Sequence, residues 1–268
     1  MGKKIKPKFG LCGLGNIASR HIQAIEDIGG EIVDTYDVDS SRNPSCDSYE
    51  DLLMNPDANW IVILSPNKLH YEQAKMALAV GKSVIVEKPP VTNLFDLWSF
   101  DLEDNIYTIS QLRYMESIKN LRMKVKDSDG YTVRLNIVAH RDPIYLANWR
   151  GRGDWSGGIL YTIGIHYFDI LTWIFGGLKK IDYVRWMDDD WRVQGRFELQ
   201  QGTVEFNIEV SETKPNHKSL IVDDVEIDLS AGFFDLHSEV YKDIFAGGGV
   251  HPLELNRAIN LIDHIYAN

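Results

Sequence analysis

The stretch FGLCGLGNIA, residues 9–18, decides the fold. Residues 9–12 form a short apolar run. Gly13-Leu14-Gly15-Asn16-Ile17-Ala18 follows it as G-x-G-x-x-A. Residues 16–28 then carry Ile17, Ile22, Ile25 and Ile28 at a roughly helical spacing. Strand, glycine turn and helix in that order suit a pyrophosphate. The first glycine permits the tight turn, and the second lets the backbone approach the phosphates. The small third residue allows close strand–helix packing. The helix amides and dipole face the bound anion. Gly13, Gly15, Asn16 and Ile17 are therefore candidate cofactor-binding residues.

Asp37 completes a dinucleotide pattern. It stands 22 residues after Gly15, at the end of the apolar run 32–36. A carboxylate there accepts hydrogen bonds from ribose hydroxyls, and with Asp39 it repels a 2′-phosphate, so NAD is expected rather than NADP. Arg42 either softens that preference or, like Asp39, is solvated loop charge.

Outward from this turn, residues 60–64, 83–86 and 106–110 read as strands. Residues 48–54, 67–80 and 92–102 read as helices. The alternation implies right-handed βαβ units and a doubly wound parallel α/β sheet, a Rossmann domain over residues 1–112. The second half has another rhythm. Residues 131–139 alternate polar and apolar, and a long helix is expected over 156–175. Strands follow at 181–186, 191–199, 203–212 and 219–228, with a last helix over 252–266. An α+β domain with a large, mostly antiparallel open-faced sheet is expected for residues 113–268.

Composition narrows the function. Of 268 residues, 28 are Lys or Arg and 39 are Asp or Glu, a net charge of −11. That balance repels nucleic-acid backbones, so no nucleic-acid partner is expected. Two cysteines, Cys12 and Cys46, make neither a disulfide framework nor a zinc site. His140 and His166 have no further ligands at a recognisable spacing, so no metal is expected. The longest apolar stretch, 159–175, contains His166 and Asp169, so it reads as a buried helix and not a membrane span. The basic start MGKKIKPKFG has no apolar signal core after it. A cytoplasmic protein is expected.

Two segments carry chemistry. Glu87-Lys88-Pro89-Pro90 follows the fourth strand, on the edge that faces the ligand crevice of an open parallel sheet. Lys88 there either donates to a reacting oxygen or is an exposed loop lysine. In SGGILYTIGIHYFD, residues 156–169, helical spacing puts Thr162, His166, Asp169 and Trp173 on one face. His166 alone reads as a satisfied core histidine. Beside a glycine turn and the EKP segment it reads as catalytic.

In this ordered set the chain resembles the glucose–fructose oxidoreductase/inositol dehydrogenase (Gfo/Idh/MocA) family. The shared features are the glycine turn, Asp37, Ser65-Pro66-Asn67 with His70, EKP, and GG…G-x-H-x-x-D. Leu112-Arg113-Tyr114, Gly232-Phe233 and Leu236-His237 extend the likeness. Asn148-Trp149-Arg150-Gly151 and the segment TWIFGG are similar to the branch acting on UDP-N-acetylglucosaminuronic acid. The resemblance implies that Ser65, Asn67, His70, Glu87 and Lys88 lie on the cofactor side. It also implies that Lys88 and His166 flank a sugar hydroxyl. It implies NAD-dependent, reversible oxidation of a secondary hydroxyl, at C3, of a UDP-linked sugar, with a homodimer or homotetramer built on the open sheet. Thr162, Arg113, Arg150 and Tyr145 are the candidate substrate residues, the two arginines for an anionic group. Domain-junction salt bridging is the other reading of the arginines, and packing the other reading of Tyr145. Inositol or free-sugar dehydrogenation and a non-catalytic NAD- and sugar-binding regulator are the alternative functions.

Two departures from the family pattern stand out. Thr162 occupies a position where many members have aspartate, which moves base duty to His166 or Lys88. The region between about 176 and 230 is also shorter than expected.

Overall fold

The computed structural model describes residues 6–125, 130–187, 191–229 and 236–268. Gly232-Phe233, part of the resemblance, lie outside the described residues.

The first sheet is built from β1 (Lys8–Cys12), β2 (Glu31–Tyr36), β3 (Trp60–Ile63), β4 (Ser83–Val86) and β5 (Ile106–Thr108). All its pairings are parallel, in the order β2-β1-β3-β4-β5. The central strands β3 and β4 are almost wholly apolar and buried, as sheets covered on both faces require. Helices α1 (Ala18–Asp27), α2 (Tyr49–Met54), α3 (Asn67–Ala79) and α4 (Leu94–Leu97) connect them. Chain order reverses at β1, so the crevice opens where β1 and β3 end. The glycine turn, Asp37, Ser65 and Glu87-Lys88 all follow strand ends on that edge.

Gly13 shows why a glycine is needed there. Its φ is +104°, and a Cβ at this position would sit 2.8 Å from the Leu64 carbonyl carbon. Its N–H donates to Tyr36 O at 2.8 Å, tying the end of β1 to the end of β2.

The expected helix over 92–102 is a single turn. Asn93 caps it by accepting from Asp96 N–H at 2.8 Å. Ser99 Oγ then donates to Asp96 O at 2.7 Å and competes with continued helix.

The second half follows with α5 (Glu116–Lys124), β6 (Tyr131–His140), α6 (Pro143–Ala147) and α7 (Gly153–Ser156). Next come α8 (Ile165–Phe175), β7 (Leu178–Met187), β8 (Arg192–Leu199), β9 (Gly202–Ser211), β10 (His217–Val222) and β11 (Val225–Ile227). The chain ends with α9 (Leu236–Phe245) and α10 (Asn256–Tyr266). The sheet order is β11-β10-β6-β9-β8-β7. Only β6 and β9 pair in parallel, so the sheet is mixed and mostly antiparallel, as the alternating pattern implied. One face packs on α8, where Phe168 meets Phe197 and Phe206 edge-on at 6.0 and 5.5 Å. The other face carries cross-strand ion pairs, Arg196 with Asp182 and Lys180 with Glu198 among them.

The expected helix over 156–175 is broken. Gly157 and Gly158 adopt φ of +75° and +80°, and a π-turn occupies Leu160–Gly164 before α8 begins. The hydroxyl of Tyr266 in the last helix donates to Gly157 O at 2.8 Å and braces that break.

Packing crosses the expected boundary at residue 112. Helix α9 lies against α1, and Val240, Tyr241 and Ile244 join a core with Phe9, Leu11, Ile25 and Ile85. The amphipathic face of α9 finds its apolar partner on the nucleotide-binding layer.

The one described stretch long and apolar enough to cross a bilayer, Gly153–Phe175, is 83% buried inside the protein.

Gly13→Ala is expected to cost about 1–3 kcal/mol through the strained backbone, and more where Leu64 must move. Thermal unfolding should show the loss, and cofactor titration should show binding weakened in step. An unchanged melting temperature would mean that β1 and β3 do not cross this closely.

Candidate active site

The glycine turn fits a dinucleotide. Helix α1 has no side-chain cap and no acid in its first turn, so its positive end faces the turn, although the Ala18 and Arg20 amides already donate to Gly15 O and Ile17 O. Gly15 has only the mobile tip of Arg42 near its Cβ position, at 3.2 Å. Asn16 and Ile17 lie in the same turn. Asp37 Oδ2 accepts the Leu14 N–H at 2.6 Å, which locks the turn to the end of β2. Arg42 is not plain solvated loop charge. It pairs with Asp37 at 3.4 Å and Asp39 at 3.3 Å.

Four residues expected on the cofactor side have their side chains engaged inside the protein. His70 is buried, with Nδ1 2.7 Å from Pro89 O and Nε2 2.8 Å from Ser65 O, so it staples two loops together. Asn67 Nδ2 donates to Ser156 O at 2.7 Å. Ser65 Oγ donates to Gln73 Oε1. Glu87 is buried, and its carboxylate is taken up by His21, His237 and the Lys88 N–H. These residues shape the crevice from behind.

Lys88 and His166 converge. Both line one small cavity with Ile109, Ser110 and Asp169. At about 10 Å³ it has room for a water and not for a sugar, so it marks where the two side chains meet. Lys88 Nζ donates to the main-chain oxygen of Thr162 at 3.0 Å. A π-turn widens the helix by one residue per turn and loosens its own hydrogen bonding, so a carbonyl there can take an outside donor. Burial, with Arg150 and Arg141 nearby, lowers Lys88 to about 8, against the opposing pull of Glu87. Burial and the Lys88 charge push the His166 imidazole well below its ordinary value, so it is neutral at neutral pH.

Two candidate substrate residues have their side chains engaged within the protein. Thr162 Oγ1 turns back to donate to its own helix, to Gly158 O at 2.9 Å, and only its carbonyl faces Lys88. Arg113 is buried and committed. It grips Asp169 with Nε and Nη2, the shortest contact being 2.6 Å, and gives Nη1 to Glu254 at 2.8 Å. Such a two-pronged buried pair leaves nothing for an anionic ligand. The salt-bridge reading of Arg113 is the one the structure supports.

Arg150 and Tyr145 do come together. The Arg150 guanidinium lies 4.6 Å from the Trp149 ring centroid and 5.4 Å from that of Tyr145. The Arg141 guanidinium, which stands in no sequence motif, lies 5.0 Å from the Tyr145 ring centroid as well. Lys218, on β10 opposite Ile137, adds a cation whose charge reaches His166. Neither residue sits in a motif. Pairing of β10 with β6 is what brings Lys218 to this end of the sheet.

His140, weighed above as a metal ligand, is exposed and bonded to Lys214 O. The described histidines that do cluster are His21 and His237, with Glu87 between them.

Sheet order, open glycine turn, and a lysine and histidine facing one space at the strand ends define a dinucleotide-dependent oxidoreductase. The chain belongs to the Gfo/Idh/MocA oxidoreductase family. The family's NAD-binding Rossmann fold matches residues 7–99 and its C-terminal alpha/beta domain matches residues 130–216. The WlbA (WbpB) dehydrogenase from Thermus thermophilus, solved with NAD and UDP-GlcNAcA, is similar at 29% identity and a TM-score of 0.85. That similarity covers 96% of this chain and 93% of that one. A structure of the same enzyme with NAD and alpha-ketoglutarate is similar at 30% identity, also with a TM-score of 0.85, over 97% and 94% of the two chains. Among curated relatives, 1,5-anhydro-D-fructose reductase from Ensifer adhaerens is 27% identical over 62% of this chain and 56% of its own length. The chain spans about half the length of the curated relatives it matches.

Arg113→Leu should leave Asp169 charged and buried, and cost about 3–5 kcal/mol in urea unfolding while hardly changing substrate KM. A large KM effect without loss of stability would return Arg113 to the substrate.

Proposed function

We propose that this protein uses NAD to oxidise, reversibly, a secondary hydroxyl at C3 of an anionic UDP-linked sugar such as UDP-N-acetylglucosaminuronic acid. One observation supports this above the others. The chain carries a net charge of −11, yet Lys88 feels the charges of Arg150 and Arg141, and Arg141 also acts on Arg150 and on Lys218. Clustered cations in an acidic protein are costly unless an anion neutralises them. A carboxylate and a diphosphate supply that charge, whereas inositol and free sugars do not. The likeness to a dehydrogenase solved with UDP-GlcNAcA adds support.

Neutral His166 accepts the hydroxyl proton as the carbinol C–H bond breaks. Lys88, already donating to Thr162 O, turns a second N–H toward the developing alkoxide and stabilises it. NAD, when bound, supplies the hydride acceptor. Trp149 and Tyr145 hold Arg150 between their faces for the anionic group. Cytoplasmic location and association into a homodimer or homotetramer through the open sheet belong to the same proposal, and mass measurement in solution checks the latter.

The test is a panel of UDP-sugars and free sugars incubated with NAD, read by nicotinamide absorbance. UDP-uronates are expected to turn over and free inositol is not; the reverse would favour the alternative substrate class, and no turnover with any sugar would favour a regulator. Lys88→Ala and His166→Ala should each lower kcat by about 10²–10⁴-fold with NAD still bound. The pH profile follows from the two environments. kcat/KM should fall as pH rises through about 8, where Lys88 loses its proton, and on the acid side only well below 6.5, where His166 gains one. A basic limb near 10 would contradict the assignment of Lys88. Arg150→Ala should raise sugar KM about tenfold or more, with kcat less affected.

A further inference from the structure

Beneath Lys88 lies a polar cluster that the reaction does not use directly. His21 on α1, Glu87 at the end of β4 and His237 on α9 are all buried. Glu87 Oε1 is 3.0 Å from His21 Nε2 and 3.3 Å from His237 Nε2. Glu87 Oε2 accepts the Lys88 backbone N–H at 3.1 Å. His21 Nδ1 lies 2.8 Å from the Tyr241 hydroxyl.

Proton bookkeeping gives one consistent arrangement. A carboxylate only accepts, so both Nε2 atoms donate to Glu87. A neutral His21 then has a lone pair on Nδ1, and Tyr241 donates to it. The His237 Nδ1 is the single ring nitrogen of the pair without a partner. His21 is neutral and Glu87 is ionised. Burial opposes that charge, but the two histidine hydrogen bonds outweigh it and hold the Glu87 carboxyl well below the usual carboxylate range. Burial keeps His21 low and Tyr241 protonated.

Lys88 faces Glu87 on its own strand, Arg150 and Arg141 from the segments around α6, His166 from α8 and the Thr162 carbonyl from the π-turn. Among the charged groups acting on it, Glu87 alone favours the ammonium.

We propose that His21, His237 and Tyr241 are positioning residues: a buried relay that holds Glu87 as a carboxylate and through it keeps the Lys88 ammonium charged and in place. The charge at the reacting end of β4 is then set by α1 and α9, which never meet the substrate. This rests on the donor role given to Lys88 above.

The test reads Lys88 without needing substrate. Protein labelled with ¹³C-lysine is titrated by NMR, the Lys88 Cε signal being assigned with Lys88→Arg, and kcat/KM is profiled against pH in parallel. Glu87→Gln should move the Lys88 midpoint from about 8 down by about one pH unit or more, a tenfold change in proton affinity. The basic limb of kcat/KM should move with it, while KM for NAD stays within about threefold. His237→Leu should shift the midpoint the same way, and His237→Gln, which keeps a donor near the Nε2 position, should restore most of it. An unmoved midpoint in folded Glu87→Gln protein would overturn the proposal. So would equal behaviour of the Leu and Gln variants at 237, which decides the matter if Glu87→Gln does not fold. The three donor atoms lie within 4.8 Å of one another, so stoichiometric metal in the purified protein would also overturn it. A midpoint that moves while UDP-sugars fail to react leaves the relay standing and removes only the substrate assignment.

Discussion

One hydrogen bond ties the two halves of the molecule at the place where chemistry is proposed. Lys88 Nζ, at the end of a parallel strand, donates to Thr162 O in the π-turn that opens α8. Everything else locates those two atoms. Sheet order sets the height of Lys88 beside the glycine turn. Gly157 and Gly158 break the helix, Tyr266 braces the break, and the π-turn frees the carbonyl. His166 follows Thr162 by one helical turn and so faces the same space. Arg113, buried against Asp169 and reaching the exposed Glu254, anchors α8 beside the space that Lys88 and His166 share.

Charge separates the functional surface from the rest. The chain is acidic overall, while Lys88 after β4, Lys218 on β10, and Arg141 and Arg150 flanking α6 are linked by their mutual charge effects. That contrast steers an anionic ligand inward and costs stability when no ligand is bound. The buried carboxylate of Glu87 limits the cost at Lys88, the most enclosed of these cations.

Much of this was legible in the chain before folding. The parallel strands were visible because a sheet covered on both faces needs unbroken apolar runs, and the second sheet because one open face forces alternation. The glycine turn, Asp37, Lys88 and His166 were legible because local geometry demands particular residues there. The two readings of Arg113 could not be separated in sequence, because a guanidinium looks the same there whether it meets a ligand or Asp169. Thr162 was misplaced because a regular helix was assumed across 156–175, and two left-handed glycines and a π-turn shift the frame. His21, Tyr241, Arg141 and Lys218 carry no sequence signal, and His237 carries one only through the family likeness, because their meaning comes from contacts between segments far apart, up to 220 residues for His21 and Tyr241.

The most direct measurement is a crystal structure of the protein with a reduced dinucleotide and a UDP-uronate bound together. Lys88 Nζ and His166 should both stand within about 3.2 Å of the same sugar hydroxyl, with Arg150 on the anionic part of the ligand. A sugar oxygen that touches neither side chain, or the two side chains directed at different groups, would contradict the shared-carbinol geometry.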